Sequence, residues 1–227
     1  MNEIRIIPVE GVPEIRPADD LAARLADAVG DRLADDDVLV VTQKVVSKAE
    51  GRLVPADDRR EHAVAESAAI LRKVGEMVIS ETRHGFVCAN AGVDASNVEE
   101  GTVALLPLDP DASARRIRSR LQHLLGVDVA VIVSDTFGRP WRIGQTDVAI
   151  GVAGIEPFID YRGTTDAEGR ELSATSICVA DELAGAAEMV MGKAENVCAA
   201  IVRGARVERG RGAAVDIVRP PQDDLFR

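Results

Sequence analysis

The sequence is poor in aromatic side chains, which make up 3% of its 227 residues, and its three cysteines and three histidines leave little material for soft-metal sites. Cys88, Cys178 and Cys198 are odd in number and show no C-x-x-C spacing, while His62, His84 and His123 are not paired at ligand spacing. Structural zinc, zinc hydrolysis and a disulfide framework are therefore disfavoured, and the cysteines read as small buried hydrophobes. No G-x-S-x-G turn supports a nucleophilic serine. Neither G-x-G-x-x-G after a strand nor G-x-x-x-x-G-K-S/T is present, which argues against the two common nucleotide-binding folds. No apolar run approaches the ~18–20 residues of a membrane span, and no basic stretch leads into an apolar one at the start, so the expected location is the cytoplasm.

Positive charge is scarce as well: 27 Lys and Arg stand against 38 Asp and Glu, a net charge of −11. A phosphate-tracking surface needs a basic stripe, so nucleic acid and anionic membranes are excluded as partners and any anionic ligand must be gripped locally. Lysine is confined to Lys44, Lys48, Lys73 and Lys193. What is abundant is core material: 46% hydrophobic with 29% charged residues suits a folded globular chain and excludes disorder as the main state.

Along the chain, the β-branched run 4–9 reads as a buried strand and 18–33 as an amphipathic helix, with Leu21, Leu25, Val29 and Leu33 on one face and Asp19 and Asp20 in its first turn. A strand over 37–42 and a helix over 58–73 follow. Strand material at 76–88 leads into a polar loop at 89–101, whose length points to function. Next come a helix over 111–125 with Asp111 as N-cap and a strand over 128–134 that ends at Asp135-Thr136. A strand at 148–152, a helix over 173–191 and a strand at 197–202 complete the pattern. Alternation at the ends with consecutive strands in the middle predicts an α+β (mixed α/β) chain.

Three constellations carry chemistry. Asn90-Ala91-Gly92-Val93-Asp94-Ala95-Ser96-Asn97 offers hard oxygen donors suited to magnesium or manganese, or else an Asx-turn in which Asp94 and Asn97 cap their own backbone. In Ser134-Asp135-Thr136-Phe137-Gly138-Arg139, a carboxylate and a hydroxyl at a strand end suit metal, and Arg139 suits anionic oxygens; the alternative is an Asp capping a turn. In Gln43-Lys44-Val45-Val46-Ser47-Lys48, half of the lysines lie four apart, either as a phosphate grip or as a solvated turn.

These segments, together with Pro8-Val9-Glu10-Gly11-Val12-Pro13, Leu106-Pro107-Leu108-Asp109-Pro110-Asp111, Gly169-Arg170-Glu171-Leu172 and Val179-Ala180-Asp181-Glu182, resemble the coenzyme F420:L-glutamate ligases, the gamma-glutamyl ligases of the deazaflavin coenzyme, over nearly the whole chain. The resemblance implies a stand-alone, GTP-dependent ligase without a C-terminal flavin-binding domain. Its expected reaction adds L-glutamate, one or more residues in gamma linkage, to the lactyl carboxylate of the glutamate-free coenzyme through an acyl phosphate, assisted by Mg2+ or Mn2+ and with K+ as a further cation. It also implies a homodimer of two interlocked domains, with the expected division 1–83 plus 200–227 on the nucleotide side and 84–199 on the metal and substrate side.

By the same resemblance, Asp94 and Asp135 are ligands of one divalent ion and Thr136 of a second. Val12, Pro13, Glu14, Ile15, Gln43, Lys44, Lys48, Asn97, Met191 and Gly192 lie at the nucleotide. Family members often carry Glu or Gln after the Met-Gly pair as a further metal ligand, whereas this chain has Lys193. Either the second metal site is lost or weakened, or Lys193 meets a phosphate directly; Lys193 and Arg139 are then charge stabilisers. A phospho- or nucleotidyltransferase and a non-catalytic GTP or coenzyme binder are the alternatives to ligation.

Overall fold

In a computed structural model describing residues 3–56 and 58–225, the chain-order elements are β1 (Arg5–Pro8), α1 (Leu21–Val29), β2 (Val38–Thr42), α2 (Gln43–Ala49), β3 (Leu53–Pro55), α3 (Arg59–Ala65), β4 (Ser67–Val74), β5 (Met77–Thr82) and β6 (Val87–Ala89). They continue with β7 (Thr102–Ala104), α4 (Pro110–Leu125), β8 (Ala130–Arg139), β9 (Arg142–Ala153), β10 (Ile159–Asp160), β11 (Ser176–Ile177), α5 (Val179–Met191) and β12 (Ala199–Arg203). The class is the expected mixed α/β.

A five-stranded sheet in the order β1-β12-β2-β8-β9 forms the middle layer, with parallel pairing confined to β2 and β8. Alternate residues of its strands enter two cores. Leu39, Val41, Val131, Val133 and Ile201 face Leu25, Ile117 and Leu121 of α1 and α4. Val38, Val40, Ile132 and Val202 face Leu183, Ala184, Ala187 and Met191 of α5. Strands buried on both faces read as continuous apolar runs rather than as alternation, as 37–42 and 128–134 do. Each fully buried Leu, Ile or Val contributes about 1.5–3 kcal/mol, so both helical layers hold the sheet. A smaller unit, with β3 paired to β7 and β4-β5-β6 as a meander, packs Ala63, Val78, Val93, Val103 and Leu105 together.

The expected domain division cuts across this architecture. β1 and β2 come from one assigned stretch, β8 and β9 from the other, β12 spans the 199/200 boundary, and all five share the sheet. The outer ends of that division, 1–2 and 226–227, lie outside the described residues.

Several elements differ from their sequence reading. β1 is a half-exposed edge strand rather than a buried one. Within 58–73 the helix ends at Ala65 and β4 begins at Ser67, where pairing with β5 overrides helix propensity. Residues 43–49 form α2, a buried helix rather than a turn, with Gln43, Val46, Ser47 and Lys48 inside. Asp20 is the N-cap of α1, and Asp109 that of α4. Asp111 instead accepts the amides of Val152 and Ala214, tying α4 to the sheet edge and to the C-terminal segment. α5 starts at Val179, after β11. All three cysteines are free thiols, Cys88 buried and the other two half-buried.

Strand β8 does not stop at Ser134. It runs on to Arg139 in a hairpin with β9, so Asp135 and Thr136 lie inside paired strand. Between the pairs Val133–Gly151 and Ser134–Ala149, β9 carries one extra residue, Ile150. Asp181 of α5 accepts the amide of Ala149 at this bulge, a donor that the interrupted ladder would otherwise leave short of a partner. The bulge sets the register beyond it: Thr136 stands opposite Asp147, where an uninterrupted ladder would place Val148.

Candidate functional site

The site forms at the C-terminal end of the parallel pair. Thr42 at the end of β2 lies beside Ser134 of β8, so the start of α2 falls next to Asp135. Successive side chains on a strand point to opposite faces, which splits the site into two halves. Asp135 faces the α2 side, and Ser134 and Thr136 face the α5 side.

On the first side, the Lys44 ammonium lies 2.7 Å from both Asp94 Oδ2 and Ser96 Oγ. Asp94 also accepts the Ser96 amide at 2.8 Å, so it makes the Asx bond and the lysine pair together. Its loop is held by the reciprocal backbone bridge to Ala104. Burial acts to raise the Asp94 carboxyl, but the bonds from Lys44 and Ser96 outweigh it and leave the pKa below its ordinary value. Asp135 behaves oppositely. Burial, assisted by the charges of Asp94 and Asp147 and opposed by the Thr136 amide and Lys44, pushes it up to about 7. Burial first, then the Asp135 charge, also pushes Cys88 up to about 12.

On the second side, the buried Asp147 accepts from Ser134 Oγ at 3.0 Å and from Thr136 Oγ1 at 2.6 Å. Lys193 Nζ donates to Thr136 Oγ1 at 2.7 Å and lies 3.2 Å from Asp147 Oδ1 and 3.4 Å from Glu188 Oε1. Gly192 positions that lysine: it ends α5 at φ 59°, ψ −167°, a conformation essentially restricted to glycine.

The remaining expected residues divide. Lys48 pairs with Glu14, which brings the irregular segment 12–15 onto α2, with Ile15 buried and Pro13 and Glu14 exposed. Val12 is half-buried against the same core as Ile15. Asn97 donates weakly to the Lys193 carbonyl at 3.4 Å, joining the two sides, while Met191 is buried in the α5 core. Gln43 is buried at the start of α2, and its side-chain amide donates to Ser47 Oγ and the Leu105 carbonyl, so the side chain braces the site from behind. Arg139 lies three residues past Thr136, about 10 Å along the strand, and donates to the Ile143 carbonyl in the hairpin tip. Asp147 and Glu188 were not singled out from sequence. The available signal was an Asp in an otherwise apolar strand approach, Thr146-Asp147-Val148-Ala149-Ile150.

The donor set fits one hard divalent ion. Asp135 is a carboxyl group whose ionisation burial delays to about pH 7, with the Thr136 amide as its one hydrogen bond among the described residues, and a neighbouring cation would favour its charged form. Among the described residues no three His, Cys, Asp or Glu side chains gather at metal-ligand spacing. Water or substrate oxygens would complete the sphere, as is usual for Mg2+.

By descent the chain is a ligase: it belongs to the F420-0:Gamma-glutamyl ligase family, whose model matches residues 11–69 and 58–204. Coenzyme F420:L-glutamate ligase of Methanothermobacter thermautotrophicus is 42% identical over 249 residues, covering 99% of each chain. The protein of the same name from Methanopyrus kandleri is 43% identical, covering 99% of this chain and 98% of that one, and the one from Archaeoglobus fulgidus is 41% identical, covering 99% and 96%. No helix among the described residues is long and apolar enough to cross a membrane.

Proposed function

We propose that this protein is a GTP-dependent ligase that joins L-glutamate, one or more residues in gamma linkage, to the lactyl carboxylate of glutamate-free coenzyme F420. The full-length relatives' names support the substrates. The observation that carries the chemistry is the Lys44–Asp94 pair set against the proton-retaining Asp135 at the end of β2 and β8.

The lactyl carboxylate oxygen attacks the γ-phosphorus, breaking its bond to the bridging oxygen and releasing GDP. The glutamate amine then attacks the acyl carbon, phosphate leaves, and the amine gives up a proton. Phosphoryl transfer needs positioning and charge more than covalent help. Lys44 and Lys48, one turn apart on α2, supply point charges for phosphate oxygens. Asp94 and Asp135 would hold a Mg2+ or Mn2+ ion, which would neutralise charge on the transferring group. Val12 to Ile15, which reach α2 through the Glu14–Lys48 pair, and Asn97 line the nucleotide in this reading, and the proposed location of the enzyme is the cytoplasm.

We also propose a homodimer in which a second copy covers β4. What supports it is an edge strand exposed along most of its length, with Ile70, Leu71, Val74, Met77 and Val87 exposed on its meander. Unpaired edges and apolar patches of this kind are normally covered. Light scattering on a sizing column reads the mass directly, and a monomer at working concentration would end this part of the proposal.

The test of the activity is mass spectrometry of the glutamate-free coenzyme after incubation with protein, GTP, L-glutamate, Mg2+ or Mn2+, and K+, omitting each in turn. A gain of glutamyl units that needs nucleotide, metal and glutamate is expected. Phosphate release without glutamate and without amide product would instead make the protein a phosphotransferase.

A further inference from the structure

The acidic residues of the site are not neutralised alike. Asp135 faces a partial counter-charge from Lys44, which is already bonded to Asp94. Asp147, with a side chain only 2% exposed, meets an ammonium brought in on the end of α5. Around Lys193 Nζ stand a hydroxyl, a buried carboxylate and a half-buried carboxylate, from Thr136, Asp147 and Glu188. Hard oxygens of this kind also suit a small divalent ion.

The Thr136 hydroxyl is committed on both sides, since it donates to Asp147 and accepts from Lys193. A divalent ion bound to Thr136 Oγ1 and Asp147 Oδ1 would compete with the ammonium for the same two oxygens, and the like charges oppose joint occupancy. Gly192 fixes the backbone just before the lysine, and Asn97 reaches the Lys193 carbonyl. The ammonium is therefore delivered from a held backbone position.

We propose that Lys193 is a tethered cation standing on the α5 side of β8 in place of a second divalent ion, so that each chain binds one such ion, on the Asp94–Asp135 side. This rests on the metal assignment made under the proposed function. It predicts that removing the ammonium exposes a second site built from Asp147, Glu188 and Thr136.

The experiment is a titration of metal-free protein with Mn2+ alone, counting the free ion by electron paramagnetic resonance. Melting curves alongside confirm folding. One ion per chain is expected for the unmodified protein and two for Lys193→Glu, whose carboxylate would join the vacated oxygens. Lys193→Ala should also admit a second ion, more weakly, and serves if the glutamate variant does not fold. Two ions in the unmodified protein, or one in a folded Lys193→Glu, would overturn the role given to Lys193 while leaving the Asp94–Asp135 ion in place. No ion in the unmodified protein would overturn that metal assignment, and no ion in any of the three proteins would overturn both.

Discussion

The two sides of strand β8 solve the same electrostatic problem in opposite ways. On the α5 side, Asp147 is fully provided for: Ser134, Thr136 and Lys193 meet both of its oxygens. On the α2 side, Asp135 has one backbone amide and retains its proton to about 7. Buried charges are either paired inside the fold or left for a ligand to complete. The α5 side thus belongs to stability as much as to chemistry, and the α2 side is the one that substrate or ion must finish.

The comparison is broken most severely at its reactive side. Asp135→Asn removes a ligand charge and little packing, so ligation should fall about a thousandfold, the scale of losing a main electrostatic stabiliser. Its melting temperature without metal should stay at or above that of the unmodified protein. Coupled GDP release and thermal melts measure the two, and full activity in this variant would remove Asp135 from the site.

Asp147→Ala acts the other way. It leaves the hydroxyls of buried Ser134 and half-buried Thr136 without their acceptor, a cost of about 1–3 kcal/mol. Chemical denaturation should show that loss even in chelator, whereas an unchanged midpoint would contradict the structural part given to this carboxylate.

Acidity sharpens the contrast further. The Asp135 carboxyl is raised well above its unfolded value of about 3.9, so the folded chain holds that proton more tightly. Its contribution to stability is full below the unfolded value and is lost as pH rises toward about 7. Relative to Asp135→Asn, the metal-free protein should therefore lose melting temperature between pH 5 and pH 8. Parallel curves for the two proteins would refute the raised titration.

The smallest expected effect is at the edge of the site. Lys48→Ala removes one charged contact to phosphate and should weaken GTP binding about tenfold, about 1.4 kcal/mol. Calorimetry with GTP would detect it, and an unchanged affinity would take Lys48 out of the phosphate grip.

Much of this was legible in the residues. The buried strands at 38–42 and 130–134 announce themselves as apolar β-branched runs, and the polar loop carrying Asp94 stands out by its length. α2 was not legible, because it is seven residues long with Val45-Val46 at its centre, and tertiary packing decides it. β4 reads as helix because Ala68, Ala69 and Leu71 favour one in isolation, and only the register with β5 says otherwise. Asp147 was missed because its partner is set by the bulge at Ile150, and a one-residue slip in pairing changes which side chains meet. The resemblance sets Gln43 at the nucleotide, and its residue type alone does not reveal that its side-chain amide turns inward to the Leu105 carbonyl.

That inward turn has a mechanical consequence. Gln43 and Ser47 both bond the Leu105 carbonyl, Leu105 follows directly on β7, and Ala104 of β7 is bridged to Asp94. The helix bearing Lys44 and Lys48 and the loop bearing Asp94 are thus riveted through one short rod of backbone. Tugging on the lysines by a phosphate chain would drag the carboxylate with them, so the grip on the nucleotide and the placing of the acid are geared to turn together.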